Sequence, residues 1–399
     1  MGSTGRTLRY RVMLPVLALL AFAARPALAN PSLVFDAASG KVLYAEQAGA
    51  VWHPASLTKI MTAYIVLQEL AAKRLKPNQV LTVSKFAASK PPSKLGVPAG
   101  RTITVMQALR AVMIRSTNDM AVVLAEAVSG SEAKFAEKMN RTARDLGMTR
   151  THFVNSHGLH DPRQVTTARD LGLLAQAILR KFPKGSRIFS ERYVKWGKVK
   201  LSNRNRLLGK FRGLDGLKTG FVCASGFNLV ATAKRGGRRL VSVVLGAPTG
   251  RFRFDESAYL LKRSFARPLK AMLVKTHLRE LRNAGRNSRP PNLRQTVCEK
   301  QQVATITPAK KLKGWGIMIG AYKSRKTAKR MLNYGLSNFR GAVTGAQAAV
   351  VRTSGRKAHA VILAGLTQRE QASACKWLEK TGAKCNRVSP KQIKRPRIR

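Results

Sequence analysis

Pro54-Ala55-Ser56-Leu57-Thr58-Lys59 runs straight into Ile60–Leu70, a stretch that is almost entirely apolar. A helix built from that stretch has to be buried, and it carries a lysine inside with it. Ser56 and Lys59 are three residues apart, so they share a helix face one turn from each other. Burial disfavours the ammonium form, lowers the lysine pKa and leaves an amine that can take a proton from the serine. The free backbone N–H groups at the helix N-terminus favour negative charge beside Ser56. The combination describes an activated serine nucleophile that needs no histidine. Ser-x-x-Lys by itself occurs in many helices, so the rest of the chain has to supply the context.

The address comes from the first residues. Arg6, Arg9 and Arg11 precede an apolar run, Val12–Ala24, and Ala27-Leu28-Ala29 is a small-residue cleavage site. The run is short for a membrane span, so residues 1–29 read as a secretory signal peptide and the mature chain as periplasmic, beginning at Asn30. The 399 residues leave room for two or three domains, and the net charge of +56 points to a polyanionic partner. Export argues against nucleic acid and leaves cell-wall polymers and an anionic envelope surface. A generally basic proteome is the plain alternative. Cys223, Cys298, Cys375 and Cys385 lack C-x-x-C spacing, which argues against a metal site. Cys375 and Cys385 are near neighbours able to pair, but all three pairings of the four cysteines stay open.

Taken in order, Asn30–Glu46 predicts a hairpin turning at Ala38-Ser39-Gly40. Helical spacing returns from Thr104 to Ile114, with Thr104 as N-cap, and again from Met120 to Val128. Between them Ser116-Thr117-Asn118 interrupts two apolar helices with short polar side chains. A hydroxyl that relays a proton and an amide that holds both a lysine and a substrate carbonyl fit that position. Ala133–Leu146 predicts a further helix, and Thr166 or Thr167 caps another. His157 and His160 read as loop histidines that only form hydrogen bonds. Farther on, Phe227–Thr232 and Leu240–Leu245 predict two strands joined at Gly236-Gly237, and Lys218-Thr219-Gly220 falls on a strand of the same sheet. There a cation and a hydroxyl can meet a carboxylate, and Gly220 lets substrate lie against the backbone.

Ser56-x-x-Lys59, then Ser116-x-Asn118, then Lys218-Thr219-Gly220 is the ordered set of the penicillin-recognising serine enzymes. Residues 30–265 resemble the low-molecular-mass penicillin-binding proteins of the serine D-alanyl-D-alanine carboxypeptidase family (peptidase S11). "FDAASGKVLYAEQAGAVWHPASLTKIMTAYIV", "RSTNDMAVVLAEAVSGS" and "RGLDGLKTGFVCASGFNLVATAKRGGRRLVSVVLGA" carry the likeness beyond the three motifs. The resemblance implies a β-lactamase/transpeptidase-like α/β (α+β) fold, an antiparallel sheet flanked by helices. It implies Ser56 as acylated nucleophile, Lys59 as base, Ser116 as proton relay and Asn118 as substrate holder. Lys218, Thr219 and Gly220 form its substrate strand, the backbone of Ser56 and Phe221 its oxyanion hole, and Arg253 a carboxylate anchor. Removal of the terminal D-alanine from peptidoglycan stem pentapeptides follows, with no cofactor, no metal and inhibition by β-lactams. Val222 departs from the hydroxyl residue usual at its position, and Cys223 reads as inert packing. The all-β stalk usual after the catalytic domain is not evident.

Residues 266–312 ("LRNAGRNSRPPNLRQ") read as a flexible basic linker. Residues 313–390 contain an internal echo: "WGIMIGAYKSRKTAKRMLNYGL" and "HAVILAGLTQREQASACKWLEKTG" each read as strand, turn and helix. The β-α-β-β-α-β order predicts a small ferredoxin-like domain. It resembles a SPOR domain, which implies binding of denuded septal glycan through a sheet face that includes Trp315, Ile317 and Tyr322. Residues 391–399 are a basic tail. Three other functions remain beside carboxypeptidase: D,D-endopeptidase, β-lactamase, and a septal glycan-binding protein without catalysis. No acidic deacylation motif stands between Asn118 and Lys218, which counts against the β-lactamase, and the complete motif set counts against the last.

Overall fold

The computed structural model describes residues 30–266, 276–285, 287–298 and most of 305–394. The expected signal peptide and the end of the basic tail, 395–399, lie outside the described residues. The expected hairpin is β1 (Ser32–Asp36) and β2 (Val42–Glu46), and Gly40 takes the left-handed φ of +75° that its turn requires. A single 3₁₀ turn, Ala55–Thr58, then runs without a break into α1 (Lys59–Ala71). Ser56 therefore sits on the 3₁₀ turn and Lys59 on the first residue of the α-helix.

A small ribbon of β3 (Val80–Thr82) and β4 (Thr102–Thr104) encloses the short α2 (Lys85–Ala88). Thr104 caps α3 (Val105–Arg110) in a reciprocal box with Gln107. The helix widens through a π turn at Ala111–Arg115 and stops at Ser116, whose φ is +68°. Such a backbone is uncommon for a residue with a Cβ and marks the break between the two apolar helices. Next come α4 (Asn118–Ser129), α5 (Glu132–Asp145) and α6 (Ala168–Lys181), the last capped by Thr167. β5 (Tyr193–Trp196) and β6 (Val199–Ser202) form an outlying hairpin. β7 (Leu214–Val222), β8 (Gly226–Arg235), β9 (Arg238–Ala247) and α7 (Gly250–Phe265) complete this part.

The main sheet is antiparallel, in the order β2-β1-β9-β8-β7, which leaves β7 on an edge. Its side chains alternate between two cores. Leu33, Phe35, Val230, Val241 and Val243 pack with α1 and α6, whereas Val34, Leu229, Ala231 and Val244 pack with Leu260 and Leu261 of α7. The sheet is thus covered on both faces, and α1 lies at the centre of the helical layer, buried along nearly its whole length.

Two expectations are corrected here. Residues 276–285 and 287–298 fall inside the expected flexible linker, yet they form a strap docked along the domain. Val42 N–H donates to Thr276 O at 3.1 Å, Leu278 N–H to Gly40 O at 2.9 Å, and Ala284 N–H to Gly49 O at 2.8 Å. Leu278 is 1% exposed, and a Cβ on Gly49 would stand 2.1 Å from Arg282 O. The composition is basic because the charged side chains face outwards, while backbone bonds and a few leucines do the docking. Cys223 does not serve as simple packing: it forms a disulfide with Cys298, with a Cα–Cα separation of 5.6 Å.

The C-terminal part holds a second antiparallel core of β11 (Trp315–Tyr322), β12 (Gln347–Arg352), β13 (His359–Leu366) and β14 (Asn386–Val388). The order β12-β13-β11-β14 is that of a ferredoxin-like sheet, with the two-residue β10 (Thr305–Ile306) added parallel to β12. A helix spans Gln368–Lys380, and Cys375 pairs with Cys385. Most of the other expected helix lies outside the described residues. Ile317 does not face outwards as expected. It is fully buried among Ala328, Leu332 and Val361, with Trp315 and Tyr322 packed against the same core.

Candidate active site

Lys59 is completely buried, and its surroundings fix the direction of its lone pair. Nζ lies 2.7 Å from Asn118 Oδ1 and 3.2 Å from Ser56 Oγ, and it also contacts the carbonyl oxygen of His157. Asn118 Nδ2 donates to Pro91 O at 2.9 Å, which commits its Oδ1 to face the lysine. Burial pushes the Lys59 amine down to about 7, against a smaller opposing pull from Asp119 and Glu132. A neutral amine has two protons and one lone pair. Asn118 Oδ1 and His157 O can only accept, so they take the two protons, and the lone pair is left for the Ser56 hydroxyl. That arrangement is able to draw the proton from Ser56.

The second lysine sits opposite. Lys218, on β7 and 1% exposed, donates to Ser116 Oγ at 2.9 Å and to Thr219 O at 2.9 Å, which in its ammonium form leaves one N–H for a ligand. Burial and the neighbouring cations Lys59, Arg253 and Arg204 hold its pKa well below the usual lysine value. Arg253, on α7, donates to Gly220 O at 2.8 Å and is pushed down to about 10 by burial and by Arg206 and Arg204. Its Nε is buried with no partner among the described residues. This cationic corner suits an incoming carboxylate.

Close packing brings β7 to the serine. A Cβ on Gly220 would stand 2.9 Å from Pro54 O and 3.2 Å from Leu57 N, so the strand runs directly against the turn that carries Ser56. Thr219 is buried beside it, and Phe221 is 42% exposed, stacked on Phe227 with ring centroids 4.1 Å apart. Val222 ends the strand. The structure therefore gathers Ser56, Lys59, Ser116, Asn118, Lys218, Thr219, Gly220, Phe221 and Arg253 about one cleft.

Other residues support the site and were not singled out from the sequence. Glu132 Oε1 accepts from Ser156 N at 3.0 Å and from Ser156 Oγ at 2.6 Å, and it lies 3.4 Å from His157 Nε2. Burial lowers His157 to about 3. The ring is neutral: Nδ1 accepts from Leu159 N at 3.1 Å, so Nε2 carries the proton and faces Glu132. His157 thus does more than an ordinary loop histidine, because Glu132 holds the segment whose carbonyl contacts Lys59. Gly158 has a φ of +85°, and a Cβ there would come within 2.0 Å of Ala55 O. Asn228 Nδ2 donates to His53 O at 3.0 Å and to Pro54 O at 3.2 Å, which ties β8 to the serine turn. An asparagine within the apolar run of β8 was the available signal for it. No comparable local signal marked Glu132, because its partners lie more than twenty residues away.

The geometry places a serine hydroxyl within hydrogen-bond distance of a buried lysine amine, an arrangement suited to serine acyl transfer. The comparisons are specific. The family model described as D-alanyl-D-alanine carboxypeptidase matches residues 22–249. The chain is 42% identical over 258 residues to D-alanyl-D-alanine carboxypeptidase DacC of Escherichia coli, covering 61% of this chain and 64% of that protein. It resembles the crystal structure of penicillin-binding protein 5 from Haemophilus influenzae with a TM-score of 0.58 and 36% identity, over 59% of this chain and 70% of the other. Penicillin-binding protein D2 from Listeria monocytogenes, in its cefotaxime-bound form, aligns with a TM-score of 0.55 and 35% identity over 59% of this chain and 97% of the other. The chain belongs to the D-alanyl-D-alanine carboxypeptidase family, with a penicillin-binding-protein fold. It spans less than two thirds of DacC, and residues beyond 249 are not part of the family match.

Proposed function

We propose that the protein is a serine D,D-carboxypeptidase that removes the terminal D-alanine from peptidoglycan stem pentapeptides. The observation that carries this reading is the Ser56–Lys59–Asn118 contact set, with the Lys59 amine lowered to about 7. Lys59 takes the hydroxyl proton as Ser56 Oγ attacks the carbonyl between the two D-alanines. The backbone N–H groups of Ser56 and Phe221 receive the developing oxyanion. Ser116, held by Lys218, passes a proton to the departing amine and takes one in turn from the Lys59 ammonium, so D-alanine leaves and Lys59 is neutral again. Water then attacks the ester, Lys59 takes its proton and returns it to Ser56 Oγ, and the shortened peptide is released. Lys218, Thr219 and Arg253 hold the terminal carboxylate. β-Lactams present a carbonyl and carboxylate of similar spacing and acylate Ser56. The cefotaxime-bound relative from Listeria supports that part of the reading.

The division into a peptidase domain over 30–265 and a SPOR-like domain over 313–390 belongs to the same proposal, as do the periplasmic location and the targeting to septal glycan. Two disulfides suit an oxidising compartment. Among the described residues no helix is long and apolar enough to cross a membrane. The test is D-alanine release from a pentapeptide ending in D-Ala-D-Ala by the purified protein, beside Ser56→Ala. Release that depends on Ser56 supports the reading. Penicillin labelling without release would replace it with an endopeptidase or another acyl acceptor.

A further inference from the structure

β7 faces conflicting demands. It is an edge strand of its sheet, paired among the described residues with β8 alone, and it runs against the turn that carries Ser56, where substrate is expected to lie. No further strand can hold that edge without closing the site. Strand ends with a single partner fray most readily, yet the end of β7, Phe221 and Val222, borders the proposed oxyanion donor. Beyond it the chain turns at once, with Ser225 N–H bonding to Val222 O at 3.0 Å.

The strap meets the molecule at this turn. Cys298 is bonded to Cys223, two residues after Phe221. Leu293 N–H donates to Ala224 O at 2.9 Å, and Leu293 Cδ1 lies over Gly226, 3.1 Å from where a Cβ would stand. The strap is itself anchored at a distance from the cleft. Asn283 Nδ2 donates to Asp170 Oδ1 at 2.9 Å, Thr167 Oγ1 donates to Asn283 Oδ1 at 2.9 Å, and Leu278 is buried against α6 and β1. The turn after β7 is therefore fastened, through a covalent bond and a strap, to α6, in the helical layer that also holds α1.

We infer that the Cys223–Cys298 disulfide and its strap are a positioning device for the reaction, holding the Phe221 N–H and the end of the substrate strand in register with Ser56. The inference rests on the catalytic reading above. It assigns to the strap a role in catalysis, although its residues lie outside the family match. The device is also redox-sensitive. A dithiol such as dithiothreitol transfers two electrons and two protons to the disulfide, giving two cysteine thiols and the cyclic disulfide of the reagent. Reduction removes the covalent link between strap and turn and leaves the Leu293 contacts and the strap's remote anchors to hold it.

The experiment measures the second-order acylation rate by a fluorescent penicillin, together with amide hydrogen exchange at 220–225, in the full-length mature chain. Four samples are compared: the oxidised wild type, the wild type reduced with dithiothreitol, Cys223→Ala/Cys298→Ala, and Cys375→Ala/Cys385→Ala as control. Misplacement of a catalytic group by an ångström lowers rates by up to about 100-fold, so the first double variant and the reduced wild type are expected to acylate about 10- to 100-fold more slowly. Exchange at 220–225 should accelerate while the centre of β8 stays protected. The control should acylate like wild type and still lose rate on reduction, and reoxidation should restore the wild-type rate. The reduced control carries the test if Cys223→Ala/Cys298→Ala does not fold. Wild-type acylation by the folded Cys223→Ala/Cys298→Ala variant, or by the reduced control, would overturn the inference alone. Absence of acylation in the oxidised wild type would overturn the catalytic reading beneath it.

Discussion

The Lys59 amine should show itself in the pH dependence of acylation. At the ordinary lysine value of 10.5, about 1 in 3,000 molecules would carry a neutral Lys59 at pH 7, whereas at about 7 half of them do. The shift corresponds to about 5 kcal/mol of preference for the neutral form, supplied chiefly by burial. Only the neutral amine can accept the Ser56 proton. The acylation rate should therefore rise with pH, level off above about 7, and fall about tenfold for each unit below that value. The assay is the second-order rate of labelling by a fluorescent penicillin from about pH 5 to about pH 9, a range in which the penicillin carboxylate stays ionised. Asp119 acts in the opposite direction to burial by favouring the ammonium. Asp119→Asn should thus move the acid limb to lower pH. A profile flat down to pH 5, a limb near the ordinary lysine value, or an upward move in Asp119→Asn would refute the assignment of Lys59 as base.

Three further outcomes are expected. Gly158→Val places a side chain where a Cβ meets Ala55 O at 2.0 Å, and in a backbone with φ of +85°, so it should slow penicillin acylation at least about tenfold and lower the melting temperature. Leu278→Ala opens a cavity under the strap and should destabilise the domain by about 2–5 kcal/mol, read from urea denaturation; an unchanged midpoint would mean that the strap is not docked. Arg253→Ala should reduce the preference for peptides ending in a free carboxylate over the same peptides ending in an amide by about 10- to 100-fold, because a charged hydrogen bond is lost. Equal losses on both substrates would make Arg253 a support for Gly220 and no more.

The legible parts of the molecule were those with local signatures. Ser56 and Lys59 are one turn apart, so a buried apolar helix was enough to couple them. Ser116 and Asn118 stood out as short polar residues between apolar helices, and Lys218-Thr219-Gly220 as polar residues on a strand. Their order along the chain then made the set specific. What escaped depended on contacts between distant segments. Glu132 reaches His157 across a loop, and Gly158 is required only because Ala55 O happens to lie beneath it. The strap departs from the expected free linker for a physical reason. Its arginines, asparagines and prolines are the composition of free chain, yet its docking uses backbone N–H groups, Leu278 and a cysteine 75 residues from its partner. Ile317 is buried against expectation because strand alternation separates two faces without saying which one the helices cover.

The most direct test of the central claim is the mass of the intact protein after exposure to benzylpenicillin, followed by peptide mapping, for the wild type and Ser56→Ala. The account predicts one penicillin added to the wild type, located on the peptide that contains Ser56-Leu57-Thr58-Lys59, and none on Ser56→Ala. An adduct on any other residue, or equal labelling of the two proteins, would contradict it.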